Sequence, residues 1–254
     1  MPKRRAPSWY VISLRPRGEH AALRRAAARY GAGLIALSPW QLQLRDDARS
    51  RADLRAALAA TRVVFTSPTA VRAAHALQPL EARDGQHWCA VGAGTAAALR
   101  RAGIAEVAAP TRMDSEGLLA LPALQQVQGL DIGLVTAPGG RGEIAPALQA
   151  RGARVLRADV YAREALALAP RALRQLADVA APLALALSSG EALQSVLAAL
   201  PADLAAKLRH AHVAAASERL RALARDCGLA DVDLAAGPRP AQLLAALAAR
   251  HAVA

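Results

Sequence analysis

Hydroxyl and small residues gather at four places where an apolar run gives way to a helical one. These are Ser67-Pro68-Thr69, Gly94-Thr95, Ser188-Ser189-Gly190 and Ala216-Ser217. The chemistry they favour is anion binding. A helix start presents backbone N–H groups without helical partners and the positive end of the helix dipole, and a hydroxyl there adds a donor. Each also reads as plain capping, with Ser67 as the cap and Pro68 at the first helical position, where a missing N–H costs nothing. In parallel α/β sheets such starts sit at the carboxyl ends of strands, where ligands bind. Their recurrence in both halves favours a cleft between two facing units.

Arg15 and Arg141 each follow the first strand of a half, where they could meet an anion or simply face solvent. Tyr161 is one of three tyrosines and lies in the extended segment Asp159-Val160-Tyr161-Ala162-Arg163, at an expected crossing between domains. On its own it reads equally as a polar group for a site and as the filling of a hinge. His210-Ala211-His212 has no third ligand at metal-binding distance in the sequence, and the carboxylates form no tight pair for acid–base work. Gly92-Ala93-Gly94 lacks the third glycine and the following ribose-binding acid of a dinucleotide fingerprint. A Walker loop and a Gly-x-Ser-x-Gly elbow are both missing. Cys89 and Cys227 make no redox or metal spacing and read as buried, reduced thiols.

Short β-forming runs alternating with helical ones must position these groups. Strands are expected at 9–14, 34–37, 63–65, 87–91, 106–109, 132–136, 185–187, 213–215 and 232–234, with 38–44 and 155–163 extended. Helices are expected at 18–30, 51–59, 68–77, 96–102, from Asp114 onward, and at 143–150, 171–177, 217–226 and 241–249, with another after Ser189. The order repeats. Pro16 and Pro138 stand 122 residues apart, as do Ser67 and Ser189, while Gly103 and Gly228 stand 125 apart, as do Leu118 and Leu243. Two copies of one α/β unit, each with a parallel sheet, follow from that spacing.

The 254 residues suffice for two ordinary domains. The 54% hydrophobic content is inflated by alanine, and with 3% aromatics the core must be built from Leu, Val and Ala. No apolar stretch approaches the ~20 residues of a spanning helix, and the segment behind Met1-Pro2-Lys3-Arg4-Arg5 is too short for a signal peptide. A cytoplasmic, soluble protein is expected. The formal charge of +12 suits a polyanionic partner. Because the arginines are dispersed and few aromatics stand among them, a small polyanion is favoured over nucleic acid or a membrane.

Taken in order, these residues resemble the uroporphyrinogen-III synthase family. The resemblance rests on Arg15-Pro16, Leu37-Ser38-Pro39, Phe65-Thr66-Ser67 with Ala70-Val71, and Ala90-Val91-Gly92-x-Gly94-Thr95. It continues through Asp114-Ser115-Glu116-Gly117-Leu118-Leu119, Gly139-Gly140-Arg141, Val160-Tyr161 and Ser217-Glu218-Arg219-Leu220. It implies an α/β fold of two similar parallel-sheet, Rossmann- or flavodoxin-like domains joined by a two-stranded linker ladder. Domain 1 would be 9–37 plus 166–254, domain 2 would be 45–157, and 38–44 with 158–165 would be the linkers. The implied reaction cyclises hydroxymethylbilane to uroporphyrinogen III, losing water and inverting ring D through a spiro-pyrrolenine, as a hydro-lyase without a cofactor. Tyr161 matches the tyrosine assigned to assisting departure of the hydroxyl, since a phenol can donate that hydrogen bond. Substrate carboxylates would be held by Arg15, Ser67, Pro68, Gly94, Thr95, Arg141, Ser188, Ser189 and Ser217, in a monomer. Three places depart from the family pattern: Thr136-Ala137-Pro138, Ser188-Ser189-Gly190 and Ala214-Ala215-Ala216. A non-enzymatic two-domain clamp for a polyanion is the alternative, and a paired-domain nucleotide-sugar transferase is a weaker one.

Overall fold

The computed structural model describes residues 6–112, 114–139 and 142–251. In chain order the first elements are β1 (Tyr10–Ser13), α1 (Ala21–Ala28), β2 (Gly33–Ala36), β3 (Trp40–Leu44), α2 (Ala48–Ala59), β4 (Arg62–Phe65), α3 (Pro68–Leu77), β5 (His87–Ala90), α4 (Ala93–Arg101) and α5 (Ser115–Leu119). A short 3-10 turn, Pro122–Leu124, leads into β6 (Asp131–Thr136), α6 (Ile144–Ala150), β7 (Arg154–Asp159), β8 (Tyr161–Ala165), α7 (Pro170–Asp178) and β9 (Leu183–Leu187). The chain continues through α8 (Gly190–Ala199), α9 (Ala202–Arg209), β10 (His212–Ala215), α10 (Glu218–Asp226), β11 (Val232–Leu234) and α11 (Pro240–His251).

Two compact units result, one from 1–41 with 164–254 and the other from 42–163. In the first, the strands run β2-β1-β9-β10-β11 and every neighbouring pair is parallel. That is the flavodoxin-like order, with its switch point between β1 and β9. In the second, the order is β7-β6-β4-β5, again all parallel. Beyond β5 a single bridge joins Cys89 to Ala108, so the strand expected at 106–109 shrinks to one residue pair. Val107 is the only strong β-former there, and Pro110 ends the segment.

Strands β3 and β8 form a separate two-stranded ladder. Arg45 N–H donates to Val160 O at one end and Leu166 N–H to Pro39 O at the other, so the strands run antiparallel. The stretch expected to be extended from 155 to 163 therefore divides at Val160, with β7 in one sheet and β8 in the ladder. The two-domain parallel α/β architecture with a two-stranded ladder is thus as the sequence implies.

The repeat runs deeper than the four landmarks. Shifted by 122 residues, β1 and β2 fall on β6 and β7, α1 on α6, β4 on β9, and α3 on α8. Shifted by 125, β5 falls on β10, α4 on α10, and Ala108 within β11. The copies exchange halves: each unit combines the front of one copy with the back of the other. Among the described residues, α9 of the first unit is a helix without a counterpart, and the sequence reading omitted it. Its signals were present, with Pro201 at the N-cap, Asp203 in the first turn and Lys207 and Arg209 in the last.

Strand alternation sets the cores. In β4, Val63 and Phe65 face Val71, Leu77 and Leu99, while Val64 faces the opposite layer with Leu118, Leu124 and Leu148. In the other unit, Val11, Leu34 and Ala184 pack with Leu23, Leu243 and Leu247. Phe65, the only phenylalanine, is fully buried and stacks on Trp88 at 5.8 Å between ring centroids. Gly133 of β6 lets α2 lie close against the sheet, because a Cβ there would sit 2.6 Å from the Ala57 carbonyl carbon.

Candidate functional site

A cleft of about 260 Å3 opens in the second unit at the carboxyl ends of β4 and β6, the switch point of that sheet. Thr66 and Ser67 leave β4, Thr136 and Ala137 end β6, and Tyr161 begins β8 on the same wall. The parallel register sets Phe65 beside Val135, so the next residues on each strand, Thr66 and Thr136, are neighbours. The Thr66 hydroxyl donates to Thr136 Oγ1 at 2.7 Å. Tyr161 Oη stands 3.3 Å from Ser67 Oγ, which accepts the Ala70 N–H at 3.0 Å as the N-cap of α3. Arg157 also lines the cleft, its charge paired with Asp159 at 2.9 Å and one N–H donated to Ala137 O at 3.1 Å.

Pro68 occupies the first turn of α3, and Gly94 lies close by at the start of α4. A Cβ on Gly94 would meet Pro68 Cγ at 3.7 Å, an ordinary contact. Gly92 caps α4 with no side chain, which leaves the leading N–H groups of that helix for solvent or a ligand. Thr95 is only 2% exposed, so the start of α4 offers backbone rather than hydroxyl. The structure therefore brings Ser67 and Tyr161 into one cleft, while Pro68 in α3 and Gly94 and Thr95 in α4 do not line it. Arg141 lies outside the described residues.

Arg15, Ser188, Ser189 and Ser217 belong to the first unit, at the carboxyl ends of its strands. Ser189 caps α8 by accepting Ala192 N–H at 3.3 Å, and Ser217 caps α10 by accepting Leu220 N–H at 3.4 Å. Ser188 is exposed at the end of β9, and Ala216 N–H binds Leu187 O at 3.0 Å, which ties the β9 and β10 ends together. Burial lowers the pKa of the half-buried Arg15 guanidinium, and the Glu19 carboxylate opposes that shift. Beside it lies a buried chain that the sequence reading missed. Ser13 Oγ is 2.8 Å from His20 Nδ1, and His20 Nε2 is 2.8 Å from Ser38 Oγ. Burial, then Arg24 and Arg15, lower the His20 pKa, with Glu19 opposing.

Thr66, Thr136 and Arg157 were also absent from the sequence-derived site. One signal could have exposed Thr66: it stands 122 residues before Ser188, as Ser67 stands before Ser189. Thr136 figured only as part of a departure from the family pattern and Arg157 carries no motif; sheet order alone sets Thr136 on β6 beside β4 and Arg157 on β7, one strand farther out. His212 is not in a metal cluster; it contacts Asp233 at 3.0 Å and His251 at 3.3 Å, and no metal-binding grouping occurs among the described residues. Both cysteines are free, Cys89 buried and Cys227 partly exposed.

Known proteins point the same way. The family model for uroporphyrinogen-III synthase HemD matches residues 21–245. The chain is 35% identical over 208 residues to the uroporphyrinogen-III synthase of Salmonella typhimurium, a match covering 77% of this chain and 82% of that one. The corresponding Escherichia coli protein is 35% identical over 163 residues, spanning 62% of this chain and 65% of its own length. In fold, the chain is similar to a mutant uroporphyrinogen III synthase from Thermus thermophilus. That match has a TM-score of 0.61 and 20% identity, and covers 94% of this chain and 96% of that one. It is also similar to the synthetase of Helicobacter pylori, with a TM-score of 0.60, 13% identity, and coverage of 95% and 99%. The family match over most of the length, the Salmonella relative and the shared α/β fold agree: the chain belongs to the uroporphyrinogen-III synthase family.

Proposed function

We propose that this chain cyclises hydroxymethylbilane to uroporphyrinogen III, with loss of water and inversion of ring D through a spiro-pyrrolenine, as a cofactor-independent hydro-lyase. The observation that carries the reading is the tyrosine of a hydroxyl-lined cleft at a sheet switch point, in a chain of this family. The Tyr161 O–H donates to the departing hydroxyl as a pyrrole nitrogen expels it, leaving an azafulvene and water. The substituted carbon of ring D then closes on the exposed methylene to give the spiro centre, which opens and recombines at the other carbon. Closure without inversion needs no protein, so most of the catalysis is conformational: the linear chain is held with the substituted carbon in reach.

A volume of about 260 Å3 is below the range for drug-sized ligands, so the cleft suits one pyrrole ring and its side chains rather than four. The remaining carboxylates are assigned to the helix starts and cations of both units. In the second these are Ser67-Pro68, Gly94-Thr95 and Arg141; in the first they are Arg15, Ser188, Ser189 and Ser217. The strong basic excess supports that assignment. We assign 38–44 and 158–165 as linkers between domains 9–37 with 166–254 and 45–157, and the protein as a cytoplasmic monomer without nucleic-acid or membrane partners. No helix among the described residues is long and apolar enough to cross a membrane. The family match disfavours a non-catalytic clamp. The test is to supply hydroxymethylbilane and separate the oxidised uroporphyrin isomers by chromatography. Isomer III is expected; only the non-inverted isomer I, at the spontaneous rate, contradicts the proposal.

A further inference from the structure

Ser67 has a second task besides capping α3. Its hydroxyl carries one proton and two lone pairs. Ala70 N–H takes one lone pair at 3.0 Å, and Tyr161 Oη stands 3.3 Å away. Among the described residues these are the two hydrogen-bond partners of Ser67 Oγ, and Ser67 is the one partner of Tyr161 Oη. Two arrangements are possible between the hydroxyls. If Tyr161 donates to Ser67, its proton is occupied and the phenol can offer a departing hydroxyl only lone pairs. If Ser67 donates to Tyr161, the phenol proton is free to point into the cleft. The Ala70 N–H already engages the serine oxygen and polarises its O–H, which favours donation outward to the phenol. A phenol that accepts such a bond is itself the stronger donor, because successive hydrogen bonds polarise one another.

The backbone fixes this geometry. Ser67 is held at the N-cap with φ −160° and ψ 156°, and Pro68 sets the first turn of the helix behind it. Tyr161 opens β8 immediately after Val160, which is fully buried in the core of the same unit. Both groups therefore belong to one unit and line one cleft.

We propose that Ser67 is a positioning residue for Tyr161, donating its hydroxyl proton to the phenol oxygen so that the phenol proton faces the departing hydroxyl. The inference rests on the role given to Tyr161 above, and it moves Ser67 from holding a substrate carboxylate to directing the acid. It is tested with Ser67→Gly, Ser67→Thr, Tyr161→Phe and the double variant Ser67→Gly/Tyr161→Phe, each assayed for kcat and KM on hydroxymethylbilane. Glycine is a serviceable N-cap that removes the hydroxyl with little loss of helix stability, and threonine keeps both cap and proton. Circular dichroism melts confirm that each variant is folded.

The expected result is a kcat lowered roughly 5- to 20-fold in Ser67→Gly with KM unchanged, and near-complete restoration in Ser67→Thr. The double variant should be no slower than Tyr161→Phe alone. A raised KM with unchanged kcat in Ser67→Gly would overturn the inference and return Ser67 to substrate binding. Multiplying losses in the double variant would overturn it too, while leaving Tyr161 as the acid. Wild-type turnover in Tyr161→Phe would remove the role of Tyr161 itself, and this inference with it.

Discussion

Gly133→Ala places a methyl group where β6 and α2 are in near backbone contact. The added Cβ would lie 2.6 Å from the Ala57 carbonyl carbon and 2.9 Å from its Cα, with the carbonyl oxygen nearer still. Carbon atoms rest comfortably at about 3.5–4.0 Å, so helix and strand must separate by roughly 1 Å. Neither side yields easily. Ala57 lies within α2 and is fully buried beside Leu54 and Val63, and Gly133 is flanked in the sheet by Val63 of β4 and Leu156 of β7. Overpacking of this kind costs about 1–3 kcal/mol, and backbone on both sides puts Gly133→Ala near the top of that range. In a unit of this size about 3 kcal/mol lowers the melting temperature by roughly 10 °C. Gly94→Ala is the control: its Cβ would meet nothing closer than Pro68 Cγ at 3.7 Å, and Gly94 lies within α4. That exchange should raise stability by up to about 1 kcal/mol. Far-UV circular dichroism melts decide between them. A Gly133→Ala protein melting with the wild type would refute the close approach of α2 to β6.

Stability should also fall on mild acidification. Burial is the leading cause that lowers the pKa values of both His20 and His251 from 6.5, so the unfolded chain takes up these protons first. Their contribution is complete above the unfolded value and declines as pH falls through it toward the folded values. Urea midpoints at pH 7.5 and 5.5 should therefore differ, and His251→Gln should narrow the gap; equal midpoints in the wild type would contradict this. Burial pushes the Cys89 thiol up to about 11, while Cys227 is partly exposed. Iodoacetamide at pH 7.5 should add one carbamidomethyl group to the native protein, at Cys227, and two in urea, as read by mass spectrometry. Ser189→Ala removes the α8 cap and should cost about 1 kcal/mol in denaturant unfolding, whereas Ser189→Gly should cost only a few tenths.

Local chemistry made much of the fold legible. Ser67 and Ser189 announced their helices as caps, and both accept the predicted kind of backbone hydrogen bond. The 122-residue spacing announced a duplication that the strand order repeats from sheet to sheet. What was not legible depends on which strands become neighbours. Thr66 and Thr136 are 70 residues apart and meet only because β4 lies beside β6. His20 reaches both Ser13 and Ser38 only once β1 and β2 are paired and α1 is packed. The short 106–109 segment failed because a single valine beside Glu106 and two alanines cannot hold an edge strand, whereas α9 was legible in Leu204 and Leu208 at helical spacing behind Pro201.

On the proposed function, this chain holds a linear tetrapyrrole so that its last ring is inverted before the macrocycle closes. Isomer composition at increasing enzyme concentration tests it most directly, because spontaneous closure supplies an internal reference in the same tube. With a fixed amount of hydroxymethylbilane, the fraction of uroporphyrinogen III should rise from near zero towards completeness as enzyme outpaces spontaneous closure. Tyr161→Phe should need more protein to reach the same fraction. An isomer fraction independent of enzyme concentration, with isomer I dominant throughout, would contradict the account.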